Sequence, residues 1–300
     1  MSRTIVAGLD GSPESRAAAE WAAREARLRG LPLRLLHVRE REAEAAVASQ
    51  HPGSSPEGGH WSVLSEAAEG LRLRHTGVGV VADQRDGRPV EVLAAAADHA
   101  ELLALGSRGL GPLGGFLVGS VGLGVVARAR RPVVLVRAGE QAADEHEPDP
   151  AGIPSAATPY RPVLLGVDAA RPDAEVIGFA FAAAALRGTA LRAVHGWNLP
   201  PYYVHGLPAD PALYDAVAAG EAERLTKALR PWRERYPQVE VVEDAFGGSP
   251  SVRLVEASRQ ASLVVVGRRI RRGPLGGRIG SLTHAVLHHA AAPVAVVPHT

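Results

Sequence analysis

The 300-residue chain sets 33 Lys and Arg against 32 Asp and Glu, so it has no net charge to draw nucleic acid or a membrane surface. It has no cysteine, which excludes disulfides, thiolate nucleophiles and cysteine-ligated metals. With 46% hydrophobic but only 4% aromatic residues its cores must be aliphatic, and its length suggests two domains of about 150 residues each.

The chain opens on Thr4–Leu9, an apolar run that reads as a strand and not as the apolar region of a signal peptide. Asp10-Gly11-Ser12-Pro13-Glu14 then sets a turn, a capping serine and a proline at the first helical position, so a helix follows. Further strands are predicted near Leu33–Val38, Val78–Ala82, Leu102–Leu105 and Val133–Val136, with Ala-rich segments of helical period between them. A polar stretch from Glu40 to His60, rich in Gly, Pro and Ser, reads as a mobile loop. Gly139 to Pro159 has the composition of a solvated linker without a core. The pattern then restarts, with strands near Val163–Val167, Ala190–Val194, Val239–Val242, Leu263–Val266 and Val294–Val297. Most of these runs lack alternation, the mark of strands covered on both faces. No apolar run approaches the roughly 20 residues of a membrane helix, so a soluble cytoplasmic protein is the expectation.

The restart is a duplication. Ile5–Asp10, Leu28-Arg-Gly30 and His37 return as Val163–Asp168, Leu186-Arg-Gly188 and His195, all 158 residues on. Gly87-Arg-Pro89, Gly106, Gly119-Ser120 and Arg131-Pro-Val133 return as Gly248-Ser-Pro250, Gly267, Gly280-Ser281 and Ala292-Pro-Val294, all 161 residues on. Two constant offsets divide the chain into domains over 1–138 and 160–300, with a linker at 139–159. Alternating strand and helix in each copy predicts an α/β fold of two tandem doubly wound five-stranded parallel sheets, Rossmann-like, with right-handed crossovers. If strands one and four are neighbours, the order is 3-2-1-4-5, and the polar loops after both open on one crevice.

The loop after strand four carries most of the functional signal. Gly106-x-x-Gly109 is followed nine residues later by Gly119-Ser120 and then a helix. Glycines let backbone amides approach a polyanion, and a helix beginning near Ser120 offers free N–H groups and a positive dipole end to phosphate. Such a site needs no lysine, and only Lys227 is one. There is no Gly-x-x-x-x-Gly-Lys-Ser/Thr, so this is not a P-loop. Gly109-x-Gly111-x-x-Gly114 satisfies the dinucleotide pattern, but after the wrong strand and without the acidic residue about 20 positions on.

Gly-x-x-Gly, nine residues, Gly-Ser resembles the signature of the universal stress protein family in its ATP-binding form. The Asp at the end of strand one, the Gly-x-Pro before the third helix and the Pro-Val-x-x-Val last strand fit the same family. The resemblance implies ATP as ligand, with or without Mg2+. It implies that Asp10 meets adenine, that Val38 presents backbone to the base, and that Gly106, Gly109, Gly119 and Ser120 hold ribose and phosphates. Gly8, Leu9, Ser107, Arg108 and Val121 complete the expected set. It further implies dimerisation through the last strand. Val133–Val136 and Val294–Val297 could then pair within one chain as a pseudo-dimer, with room for a homodimer and for a regulatory protein partner.

Two departures bear on this. Gly122 stands where the family often has a second hydroxyl residue, and with Gly124 it weakens the helix by about 1 kcal/mol per glycine. In the second copy Ile270 replaces the second glycine, while Arg268, Arg269, Arg271, Arg272 and Arg278 make the loop basic. Those arginines could clamp phosphate or form a solvated face, so a second site at Asp168, Gly267, Arg268, Gly280 and Ser281 is left open. His284 and His288 lie four apart on the last helix, but no third ligand is evident and they read as a surface pair, not a metal site. No catalytic residue stands out. A regulatory nucleotide-binding protein is the leading reading, with a slow ATP hydrolase or a nucleotide-free interaction scaffold as rivals.

Overall fold

The computed structural model describes residues 3–40, 59–107, 119–198, 211–270 and 279–300. Two compact units emerge, one of Met1–Ala142 with Ile270 and Ile279, and one of Ala143–Arg269 with Gly280–Thr300.

Unit one runs β1 (Ile5–Gly8), α1 (Pro13–Arg29), β2 (Leu33–Arg39), α2 (Gly59–Arg74), β3 (Val80–Asp86), α3 (Pro89–Asp98), β4 (Leu102–Ser107), α4 (Ser120–Arg128) and β5 (Val133–Arg137). All its strand pairs are parallel, in the order β3-β2-β1-β4-β5. The central strands are buried on both faces, which is why Ile5-Val6-Ala7 and Leu102-Leu103-Ala104 show no alternation. α1 packs close because Ala18, Ala22, Ala23 and Ala26 are fully buried, leaving Trp21 as the large side chain of that face.

Unit two repeats the plan: β6 (Val163–Gly166), α5 (Ala174–Arg187), β7 (Leu191–Trp197), α6 (Pro211–Arg235), β8 (Val241–Gly247), α7 (Pro250–Ala257), β9 (Leu263–Arg269), α8 (Ser281–His289) and β10 (Val294–His299). Its order is β8-β7-β6-β9-β10, again parallel, so each copy has the 3-2-1-4-5 arrangement. The repeated Leu-Arg-Gly now has a cause. Gly30 (φ 63°) and Gly188 (φ 59°) end α1 and α5 in the left-handed conformation, their amides bonded back to carbonyls of the last turn.

Two expectations need correction. The third strand of each copy starts two residues later than its apolar run and ends further on, at Asp86 and Gly247. Asp83-Gln84-Arg85-Asp86 is polar yet extended, because it pairs residue for residue with Leu36–Arg39 at the sheet edge. The segment between the copies is also more ordered than its composition suggests. A short 3-10 turn covers Ala142–Glu145, and Glu147 N and Arg161 N donate to Pro159 O (2.9 Å) and Glu145 O (2.9 Å). At the tip, Asp149 Oδ1 accepts from Ala151 N (2.9 Å) and Ile153 N (2.8 Å). His146 and Tyr160 face each other with ring centroids 3.9 Å apart. Among the described residues no helix is long and apolar enough to cross a membrane.

Candidate functional site

The reversal of strand order in unit one falls between β1 and β4, and the turn after β1 is built tightly there. Leu9 N donates to Leu36 O (2.9 Å), and His37 Nδ1 donates to Leu9 O (2.8 Å) from its buried place on β2. Gly11 takes φ 85°, a conformation that favours glycine. Ser12 caps α1 by accepting from Ser15 N (3.2 Å), and Pro13 opens the helix. Asp10 Oδ1 accepts from both Ser12 N (3.0 Å) and Ser12 Oγ (2.5 Å). Burial opposes ionisation of Asp10, but the bonds from Ser12 and Ser15 outweigh it and hold the carboxyl below its ordinary value.

A depressed carboxyl stabilises the fold above its ordinary value, near pH 4, and the contribution is lost as pH falls through the lower folded value. Asp10 is exposed, so the effect is small, under about 1 kcal/mol. Thermal melts should show the wild-type advantage over Asp10→Asn constant from pH 5 to 8 and shrinking at pH 3. An advantage that grows on acidification would contradict the assignment.

Opposite this turn stands the end of β4. A Cβ built on Gly106 would lie 2.5 Å from Glu14 C and 2.6 Å from Ser15 N, so the strand passes against the backbone of the first turn of α1. Gly119 precedes α4 at φ −58° and ψ 152°, which any residue adopts, and a Cβ there meets no atom of the described residues within 4 Å. It leaves room and relieves no strain. The amides of Ser120, Val121 and Gly122 precede the first intrahelical bond, Leu123 N to Gly119 O (3.1 Å), and so remain available as donors.

Together these elements enclose a cavity of about 400 Å3. Gly8, Leu9, Asp10, Val38, Gly106, Gly119, Ser120 and Val121 of the expected set line it. Ser107 does not; its buried hydroxyl donates to Val136 O (3.3 Å), into the sheet. Arg108 and Gly109 lie outside the described residues. Ser12, Glu14, Ser15, Leu36, Pro89, Leu93, Leu105 and Gly122 also line the cavity and were not in the expected set. Ser12, Pro89 and Gly122 carried a signal, as helix cap, as part of the repeated Gly-x-Pro and as a departure from the family.

Unit two differs at the matching positions. Asp168 binds Ala170 N (3.1 Å) and pairs with Arg171 (3.2 Å), because alanine stands where Ser12 would be. Gly196 replaces Val38, and a Cβ there would meet Gly248 O at 2.7 Å and Pro250 Cδ at 2.8 Å. The turn before α7 has moved into the room that a side chain occupies in unit one. A Cβ on Gly267 would meet the His299 ring at 3.0 Å and Val176 at 3.1 Å. Arg268 is buried at the strand position of Ser107, and burial pulls its guanidinium below its ordinary value. Gly280 and Ser281 open α8 as Gly119 and Ser120 open α4, and Thr283 Oγ1 donates to Gly267 O (2.8 Å). Arg271, Arg272 and Arg278 lie outside the described residues. The His284 and His288 rings stand with centroids 4.3 Å apart, and no three metal-ligating side chains cluster among the described residues.

Two parallel sheets, each reversing its order beside its first strand, define a tandem Rossmann-like α/β protein, with a polar-rimmed crevice at the reversal point in unit one. The chain belongs to the universal stress protein family, whose sequence model matches residues 1–137 and 159–298. A universal stress protein of Mycobacterium tuberculosis (strain H37Rv) is 36% identical over 305 residues, covering 97% of this chain and 96% of that one. One from Mycolicibacterium smegmatis is 32% identical over 313 residues, covering 98% and 96%. The crystal structure of a universal stress protein from Archaeoglobus fulgidus shares the fold over 100% of both chains, at TM-score 0.65 and 17% identity.

Proposed function

We propose that the chain binds ATP, or a related adenine nucleotide, in the crevice of unit one and acts as a cytoplasmic regulatory protein. One observation carries this: a capped turn, a strand end and a helix start with free amides converge on a single cavity of about 400 Å3. That volume lies within the range of small-molecule sites, about 300–1,000 Å3. The open space at Gly119 is the feature that suits a polyanion, since a backbone without Cβ can approach phosphate oxygens beside the helix start. Asp10 and the backbone near Val38 would face the base, and Gly106, Gly119, Ser120 and Val121 the ribose and phosphates. Mg2+ beside the triphosphate would ease repulsion from Asp10 and Glu14, which share the cavity wall. Binding would regulate by favouring one conformation or one partner over another.

In unit two the turn crowding Gly196 argues against the same pose, so we assign one nucleotide per chain. Calorimetric titration of the full chain with ATP should give one site. Two sites would mean that the second crevice also opens, and no heat or competition at any concentration would remove the nucleotide reading.

Glu14 favours a second reading. It puts on the cavity wall a carboxylate that the loop from Gly106 to Ser120 lacks, in reach of the role of a general base. Mg2+-dependent phosphate release that disappears in Glu14→Gln would establish a hydrolase; release at background level in both proteins would leave the regulatory reading.

A further inference from the structure

The two copies hold the helix after their fourth strand differently. In unit two, α8 has no internal glycine, and its first turn is pinned to the sheet by Thr283 Oγ1 on Gly267 O (2.8 Å) with Thr283 buried. The matching residue in unit one is Gly122, so that hydroxyl tether is missing from α4. Gly124 follows two residues on, and a Cβ there would press on Val90 at 3.0 Å, so close packing against α3 accounts for the second glycine.

Neither helix has a side-chain cap, at Gly119 or at Gly280, and Ser120 and Ser281 are both exposed. The difference lies in composition: the nine residues of α4 contain two glycines and three valines, all poor helix formers, and Gly122, though buried, brings no side chain to hold the first turn. Its other end is held: Val125, Val126 and Ala129 are buried, and Arg130 N donates to Asp98 Oδ1 (3.0 Å). α4 is therefore firm where it leaves the cavity and weak where it lines it.

We infer that the first turn of α4 is an ordering switch, marginally stable in the free protein and fixed when a phosphate-bearing ligand accepts bonds from its amides, with Gly122 as the residue that keeps it responsive. This rests on the nucleotide reading of the cavity. An anion at the free amides supplies what the missing cap and tether do not, so occupancy is converted into helix order. Unit two has the order built in and does not respond. The exposed part of that turn, Ser120 and Val121, then presents two states for a partner to distinguish.

Hydrogen–deuterium exchange on the full chain, with and without ATP, tests this. Without nucleotide, amides at 122–126 should exchange about tenfold or more faster than those at 283–287. Saturating ATP should slow the first set about tenfold and leave the second unchanged. Gly122→Thr should slow exchange without ATP, and Thr283→Val, which removes only the hydroxyl, should speed it in α8. Equal protection of the two helices in the free protein would overturn the inference. So would calorimetric binding of ATP without any change in exchange, which leaves the nucleotide site standing. Absence of binding would instead remove the site and the ligand-ordered step together.

Discussion

Gly119→Val is expected to weaken ATP binding by at least about a hundredfold while leaving the melting temperature of the chain close to wild type. Both halves follow from local geometry. The backbone of Gly119 is extended, so valine adopts it without strain, and a Cβ meets no atom of the described residues within 4 Å. The added branch instead projects into the space beside the free amides of α4, where the phosphates are proposed to lie. A ligand that must retreat by even one methyl diameter loses its short, charge-assisted bonds, and two such bonds at about 1.5–3 kcal/mol each exceed a hundredfold. Titration calorimetry and thermal melts on the same sample separate the two effects. Unchanged affinity would place the phosphates elsewhere, and a large drop in melting temperature would mean that the glycine serves the fold after all.

Arg24→Ala is expected to cost unit one about 3–5 kcal/mol, the usual penalty for breaking a buried ion pair from one side. Arg24 on α1 meets Glu140, just beyond β5, at 2.5 Å, with side chains only 10% and 5% exposed. Removing the guanidinium takes from the buried Glu140 carboxylate a cation 2.5 Å away. The paired change Arg24→Met with Glu140→Gln should recover most of the loss, because no charge is then left uncompensated. Chemical denaturation of the three proteins reads this directly. If the single and double variants lose equal stability, packing and not charge is what the pair contributes.

Several parts of this molecule were legible from residue order. Constant offsets between Ile5–Asp10 and Val163–Asp168 revealed the duplication, and continuous apolar runs with the glycines at their ends gave strand order and the position of the crevice. These signals are local or periodic, so a linear string preserves them. The polar half of β3 was not legible, because an edge strand half in water has no apolar signature and Asp83–Asp86 reads as loop. The ordered segment after Glu145 was hidden for a similar reason: its bonds are backbone to backbone, and a composition rich in Pro, Asp and Ala does not encode them. Glu14 was overlooked as a wall residue because it reads as an ordinary first-turn acid of a capped helix. The crowding at Gly196 depends on where Gly248 and Pro250 fall in space. It is a tertiary fact, and it bears most on how many ligands the chain takes.

The two glycines of the unit-one loop have different diagnostic value across relatives. Gly106 is demanded by a helix backbone 2.5 Å from where its Cβ would sit, so it should persist whether or not a copy binds a ligand, as Gly267 persists beneath His299 and Val176. Among the described residues nothing demands Gly119. In an alignment of duplicated chains, a residue free to vary at the 119 position would mark a copy that has lost the proposed ligand, whereas an invariant glycine at the 106 position follows already from how closely a helix was laid on its sheet.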